Sequence, residues 1–202
     1  MFSEHVQSRE TQRRATRRKV MTAAEALFLK HGFKATTVRQ VATQAGVSIG
    51  TVMAEGGKEA LLVSVFEEWI SGVHDHRPLP PEPPGSGESG ARTADAITTL
   101  VGPFIDLFAA NMPLARDYGA VLLRGGPGSG IFQALAATLK TEFSHVLEGH
   151  GMPPGTATQT ATAIYFAYLG VLLSWAGGAL DQHTVREELT SVVASLLDPE
   201  DR

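Results

Sequence analysis

The chain of 202 residues fits one large domain or two small ones, and 43% hydrophobic against 19% charged residues describes a globular protein; collagen-like, low-complexity and disordered classes are excluded. It has no cysteine, which excludes a disulfide framework, a thiolate metal site, an iron–sulfur cluster and a cysteine nucleophile, and fits a reducing cytoplasm. The formal net charge of −4 hides an asymmetry: residues 1–58 carry ten Lys/Arg against four acids, and the rest carries seven against seventeen. A basic front on an acidic body points to a polyanion as the partner of the front. The first twenty residues hold six of those cations and no apolar run, unlike a secretory signal, so a cytoplasmic location is expected.

In chain order, the helical period recurs from Thr16 to Leu197 while no segment alternates in the manner of a strand, so an all-α fold is expected. Helix one is placed at Thr16 to His31, with Gly32 closing it in the left-handed conformation and Phe33 packing back. Thr37 and Gln40 form a capping box for a helix over Val38 to Ala45, ended by Gly46. Ser48 caps a short helix, Ile49 to Ala54, and Gly56-Gly57 breaks the chain before a long one, Lys58 to His74. The stretch RPLPPEPPGSGESG at 77–90 is an exposed loop. Beyond it come Thr93 to Ala110 with a kink at Gly102-Pro103, Leu114 to Leu123, a GGPGSG loop at 125–130, and Ile131 to Leu147. After GHGMPPG at 149–155 follow Thr156 to Ala176 and His183 to Leu197.

The second and third helices have the spacing of a helix-turn-helix. Small Ala42 permits a close crossing, Gly46 supplies a positive φ, and Val41, Val47 and Val52 lock the pair. In such a unit the start of the second helix enters the major groove, which offers Ser48, Ile49, Gly50 and Thr51 to base edges and phosphates. Thr37 and Lys58 stand at helix starts that favour phosphate, and Arg39 follows Thr37. The basic stretch Arg13, Arg14, Arg17, Arg18 and Lys19 reads as an arm able to follow the backbone or reach a minor groove.

The ordered elements AAEALFLKHGF, TTVRQVATQAGVS, GT and KEALL, within Arg17 to Leu62, resemble the N-terminal DNA-binding domain of TetR-family transcriptional regulators. After Gly50-Thr51 that family usually has Leu-Tyr and, soon after, His-Phe; this chain has Val52-Met53-Ala54-Glu55-Gly56-Gly57, is one residue shorter, and carries Met53 where the family has a phosphate-contacting tyrosine. The resemblance implies an all-helical fold of about nine helices: a flexible basic arm at 1–15, the helix-turn-helix domain at 16–57, and a ligand-binding and dimerisation domain at 58–202. It implies a double-stranded DNA operator of palindromic form, a homodimer through the last two helices, and a repressor released by a small apolar or aromatic effector of unknown identity.

The resemblance also gives meaning to aromatics that are otherwise ordinary core: Phe66, Trp69, Phe104, Phe108, Phe132 and Tyr165 are the candidate lining of an effector pocket. The stretch Pro154 to Leu180 is uncharged and long, and small Ala163, Ala167, Gly170 and Ser174 on it would permit close contact with a partner helix, joined by Val193 on the last helix. Two other classes remain open, a helical ligand-binding or interaction protein that has lost DNA binding and a membrane-anchored helical protein. The threonines at the start of that stretch, the diluting Gly170, Gly177 and Gly178, and the lack of a flanking basic cluster argue against a membrane. His74-Asp75-His76 ends a helix before the proline-rich loop and reads as solvated, so no metal and no cofactor are expected. No catalytic spacing stands out, and GGPGSG lacks the Lys-Ser/Thr of a P-loop, so no enzyme is expected.

Overall fold

The computed structural model describes the backbone of residues 2–77, 90–125 and 130–197. Among these residues there is no strand, and nine helices follow one another: α1 Phe2–His31, α2 Val38–Ala45, α3 Ile49–Ala54, α4 Gly57–His76, α5 Gly90–Ala110, α6 Met112–Leu123, α7 Gly130–Gly149, α8 Pro154–Ala176 and α9 Val185–Leu197. The all-α reading therefore holds. Most of the proline-rich stretch and the centre of GGPGSG lie outside the described residues. The chain divides into two compact units, residues 1–69 with 113–129, and residues 70–112 with 130–202.

The first unit is built around α1, which starts at Phe2 and not at Thr16. Hydrophobic periodicity fades before Val20, yet Arg, Gln, Glu and Ala are strong helix formers and no Gly or Pro interrupts them. Glu10 and Arg14 add an i,i+4 pair at 2.6 Å in the favourable order, acid first. Further along, Val20, Ala24, Leu27 and Phe28 are buried, and Phe33 meets Phe28 edge-on at 5.5 Å. Gly32 at φ 81 closes α1, and buried Thr36 returns its hydroxyl to the Gly32 carbonyl at 2.9 Å. Segment 113–123 of α6 belongs to this unit: Tyr118 stacks on Phe66 of α4 at 4.4 Å, and the ion pairs Lys34–Asp117 and Arg124–Glu59 join the segment and the residue after it to the rest of the unit.

In the second unit α8 packs on α7 and α9, and α5 packs on α9 and α7. Its core gathers Ile97, Val101 and Phe104 of α5, Leu139, Phe143 and Leu147 of α7, Ile164, Tyr168 and Trp175 of α8, and Leu189 and Val193 of α9. Pro103 lies inside α5, and Arg186 of α9 reaches it by donating to the Gly102 carbonyl at 3.1 Å and to Asp106 at 2.5 Å. Buried Arg77, just past α4, pairs with Glu142 of α7, donates to the Leu100 carbonyl and lies over the Phe104 ring. Losing one member of that pair would strand a buried charge, which costs more than the pair itself contributes. Helix α5 is long and apolar enough to cross a membrane by length and composition, with a mean hydropathy of 1.2, but half of that window is buried, as in a core helix.

Two glycines test how much of the first unit rests on backbone conformation alone. Gly56 has φ 94, and a Cβ there would sit 2.6 Å from the Ala60 Cβ, whereas Gly32 has φ 81 and open space. Gly32→Ala should therefore cost only the left-handed strain, about 1 kcal/mol, and Gly56→Ala the strain plus a displaced helix start, about 2–3 kcal/mol. Denaturant titration of both variants measures the difference.

Candidate nucleic-acid interface

The turn between α2 and α3 is set by Gly46, which sits at φ 67, ψ 38. Its own N–H reaches the Thr43 carbonyl at 3.3 Å and the Val47 N–H reaches the Ala42 carbonyl at 3.0 Å, the pairing of a Schellman cap. Val41, Ala42 and Val52 are buried and hold the crossing, while Val47 is half-buried. Ser48 then turns the chain into α3: its Oγ accepts from the Thr51 N–H at 3.1 Å and lies 2.9 Å from the Thr51 hydroxyl. Ser48, Ile49 and Gly50 are exposed and Thr51 is half-buried, so the first turn of α3 is open to a partner. Ile49 is a large apolar side chain left half exposed there.

The residues around this turn are differently disposed. At the start of α2, Thr37 and Arg39 are exposed, but the Thr37 N–H is already accepted by Gln40 Oε1 at 2.7 Å, and the Gln40 N–H by Thr37 Oγ1 at 3.2 Å. A phosphate there would have to displace the glutamine amide. Thr37, Arg39 and Gln40 border a groove of about 520 Å³ with Thr43 and Gln44, two residues that sequence reasoning passed over. The Lys58 ammonium is turned inward, donating to the Phe33 carbonyl at 2.9 Å, 3.5 Å from the Lys34 carbonyl and 4.3 Å from the Phe33 ring centre. Lys58 thus ties the start of α4 to the turn after α1. Arg18 is exposed, and Arg17 lies 3.5 Å from Glu55, the residue that closes α3. Met53 is about half exposed, and its thioether lies where a side chain at Gly57 would meet it, at 3.6 Å.

The expected effector residues divide between the units. Phe66 and Trp69 lie in the first: Phe66 is fully buried against Tyr118, Trp69 meets it edge-on at 5.1 Å, and the Trp69 indole donates to Glu25 at 2.7 Å. Phe104, Phe108 and Tyr165 lie in the second, Phe104 and Tyr165 buried and Phe108 half-buried; the side chain of Phe132 lies outside the described residues. Burial raises the Tyr165 phenol, and it raises Tyr168 further, with the nearby Tyr165 adding to the shift, so both remain hydroxyl donors.

Along α8 the exposed positions form a stripe: Ala163, Phe166, Gly170, Leu173 and Ser174, with Ala167 half-buried beside it. Phe166 at 64% and Leu173 at 51% exposure are its large members, and neither was singled out in the sequence, although both share the 3.6-residue period of the small ones. Val193 is fully buried within its own unit and does not share that exposure. No group of three or more His, Cys, Asp or Glu suited to a metal occurs among the described residues.

Among the described residues the chain is all-helical, and its first unit displays a helix-turn-helix whose second helix has an exposed first turn. Residues 20–65 match the family model of the bacterial regulatory proteins, tetR family. No curated protein matches the chain in sequence. Among solved structures, a TetR transcriptional regulator from Rhodococcus sp. RHA1 superposes with a TM-score of 0.62 at 16% identity, covering 94% of this chain and 99% of that one. Thermus thermophilus FadR, a TetR-family transcriptional repressor in complex with lauroyl-CoA, gives 0.63 at 20% identity over 91% and 94%. The transcriptional regulator FadR from Bacillus subtilis, in complex with stearoyl-CoA, gives 0.50 at 16% over 89% and 98%. The chain thus has the fold of TetR-type regulators over nearly its whole length.

The inward turn of Lys58 has a measurable consequence. Lys58→Met keeps the stem over Phe33 and removes the charged donor, so it should lower the unfolding free energy by about 1–2 kcal/mol. Thermal denaturation in the absence of DNA measures it; an unchanged midpoint would mean that the carbonyl contacts contribute nothing.

Proposed function

We propose that the protein is a DNA-binding transcriptional regulator that acts in the cytoplasm as a homodimer, without catalysis, and represses from a palindromic operator until a small apolar or aromatic molecule releases it. The observation that carries this reading is the open first turn of α3, Ser48 to Thr51, presented by a Schellman turn in a domain of the tetR family. The division suggested by the sequence, a flexible basic arm at 1–15, a reading head at 16–57 and a ligand and dimer domain at 58–202, is kept with two changes: residues 2–15 are the start of α1, and residues 58–69 and 113–129 pack with the reading head. Two reading heads related by a two-fold axis would meet two half-sites. Ser48, Thr51, Thr37, Arg39, Arg17 and Arg18 are proposed as backbone contacts, Ile49 and Gly50 as the close approach to base edges, and Lys58 as a support that shapes the head.

For the effector, the acyl-CoA complexes of the two FadR proteins make such thioesters the first compounds to test. The charge of the second unit favours a less anionic molecule: its described basic residues are Arg77, Arg92, Lys140 and Arg186, and Arg77 and Arg186 are committed to Glu142 and Asp106. An apolar ligand with at most one acidic group asks less of these side chains than a nucleotide polyphosphate does. The chain passes from one unit to the other within α4, between Trp69 and Ile70, which offers a covalent route for the signal.

Duplexes selected from a random pool should be palindromic, and Thr51→Ala should weaken binding to selected and random duplexes alike, with a steep loss as salt rises. Fluorescence anisotropy measures both. Adding a hydrophobic aromatic effector should weaken the operator complex by roughly 5- to 150-fold, and failure of every duplex to bind would dismiss the reading.

The α8 stripe is proposed as the dimer contact. Gly170 is exposed and a Cβ there meets nothing within 4 Å, so Gly170→Arg should leave the protomer folded while placing a charge in the contact. Sedimentation should then give a monomer with the helicity of the parent; a stable dimer would move the contact elsewhere.

A further inference from the structure

The buried stripe of α1 does not end where burial ends. Leu27, Ala24 and Val20 recur at helical spacing on the core-facing side, and the same spacing continued toward the N-terminus gives Thr16, Arg13 and Arg9, with Gln12 beside them. These four residues face Ser48 and Thr51 of α3 across a groove of about 610 Å³. A face that is apolar where it meets protein thus becomes basic and hydrogen-bonding where it passes the first turn of α3. The groove also holds one carboxylate, Glu55, and Arg17 stands 3.5 Å from it, so the lining keeps a positive balance. Arg14, by contrast, points to another face and is engaged by Glu10 at 2.6 Å.

We propose that the first turns of α1 are a second DNA-contacting face, rigidly helical, whose Arg9 and Arg13 take phosphates of the strand bordering the groove that α3 enters. The inference rests on the DNA-binding reading above. Charge and position select the occupant. One strand of duplex carries a phosphate every 3.4 Å of rise, and two arginines four residues apart on a helix are separated by about 6 Å along its axis, enough to address separate phosphates. Gln12 and Thr16 between them supply neutral donors of the kind that go to phosphate oxygens. Because the helix is continuous from Phe2 to His31, these contacts are held in a fixed register relative to α3, which a loose tail could not do.

The test uses the full chain and the duplex it selects, titrated by anisotropy at several salt concentrations between about 50 and 200 mM. Four proteins are compared: the parent, the double variant Arg9→Gln with Arg13→Gln, the single variant Arg14→Gln, and Thr51→Ala. Glutamine keeps the helix propensity, and far-UV circular dichroism checks that it does. With both heads bound, the double variant should flatten the salt slope by about four, one for each arginine in each protomer, and weaken all duplexes alike. Arg14→Gln should change the slope by less than one. An unchanged slope in the double variant, with Thr51→Ala still weakening binding, overturns the proposal and leaves the regulator reading standing. Tighter binding by the double variant overturns it too, since α1 would then obstruct the groove. A parent protein that binds no duplex overturns both.

Discussion

The presentation of α3 depends on one backbone conformation, the left-handed turn at Gly46. It lets the Val47 N–H reach the carbonyl of Ala42 and stops α2 after two turns, so that Ser48 is delivered to the position from which it caps α3. A side chain at φ 67 would be strained, and the crossing leaves little alternative because Val41, Ala42 and Val52 on the two helices are already buried. Ser48 and Thr51 are spent partly on each other, as cap and capped. The groups that face outward are consequently those whose geometry is also structural, which fixes their direction in the free protein.

A second layer of constraint supports the first. Lys58 satisfies carbonyls of the turn after α1 from α4, Thr36 satisfies the Gly32 carbonyl that closes α1, and Phe33 lies beneath the ammonium. A cation at the start of a helix would by itself suit a phosphate. Here its donors already have partners, and the energetic preference is for a lysine that organises the head. The same tension appears at Thr37, whose N–H is held by Gln40. Capping stabilises the free protein and competes with phosphate for the same backbone donor.

How much of this was legible in the sequence follows from what each signal measures. Capping boxes and glycine stops are local, so α2 and α3 were read to the residue from Thr37, Gln40, Gly46 and Ser48. The start of α1 was missed because hydrophobic periodicity reports burial, and from Phe2 to Lys19 the helix has little apolar surface to bury; propensity and the Glu10–Arg14 pair were the available clues. The direction of Lys58 was not readable, since it depends on the Phe33 carbonyl, distant in sequence. Nor was the membership of α6: only the fold puts Tyr118 flat against Phe66, and Arg77 beside Glu142. Of the aromatics grouped by the resemblance, Phe66 and Trp69 turn out to be packed in the first unit, a distinction that helical spacing within one segment cannot make.

The two tryptophans are placed one to a unit. Trp69 donates its indole hydrogen to the Glu25 carboxylate in the first, and Trp175 is buried at 5% exposure in the second. Their surroundings differ in kind, a charged hydrogen-bond acceptor in one case and an apolar core in the other, so their emission should differ in wavelength and in response to quenchers. Replacing either by phenylalanine would leave a chain in which a single tryptophan, excited selectively over the three tyrosines, reports on one unit alone. Whether the two units melt as one cooperative body or in sequence can then be observed without attaching any label.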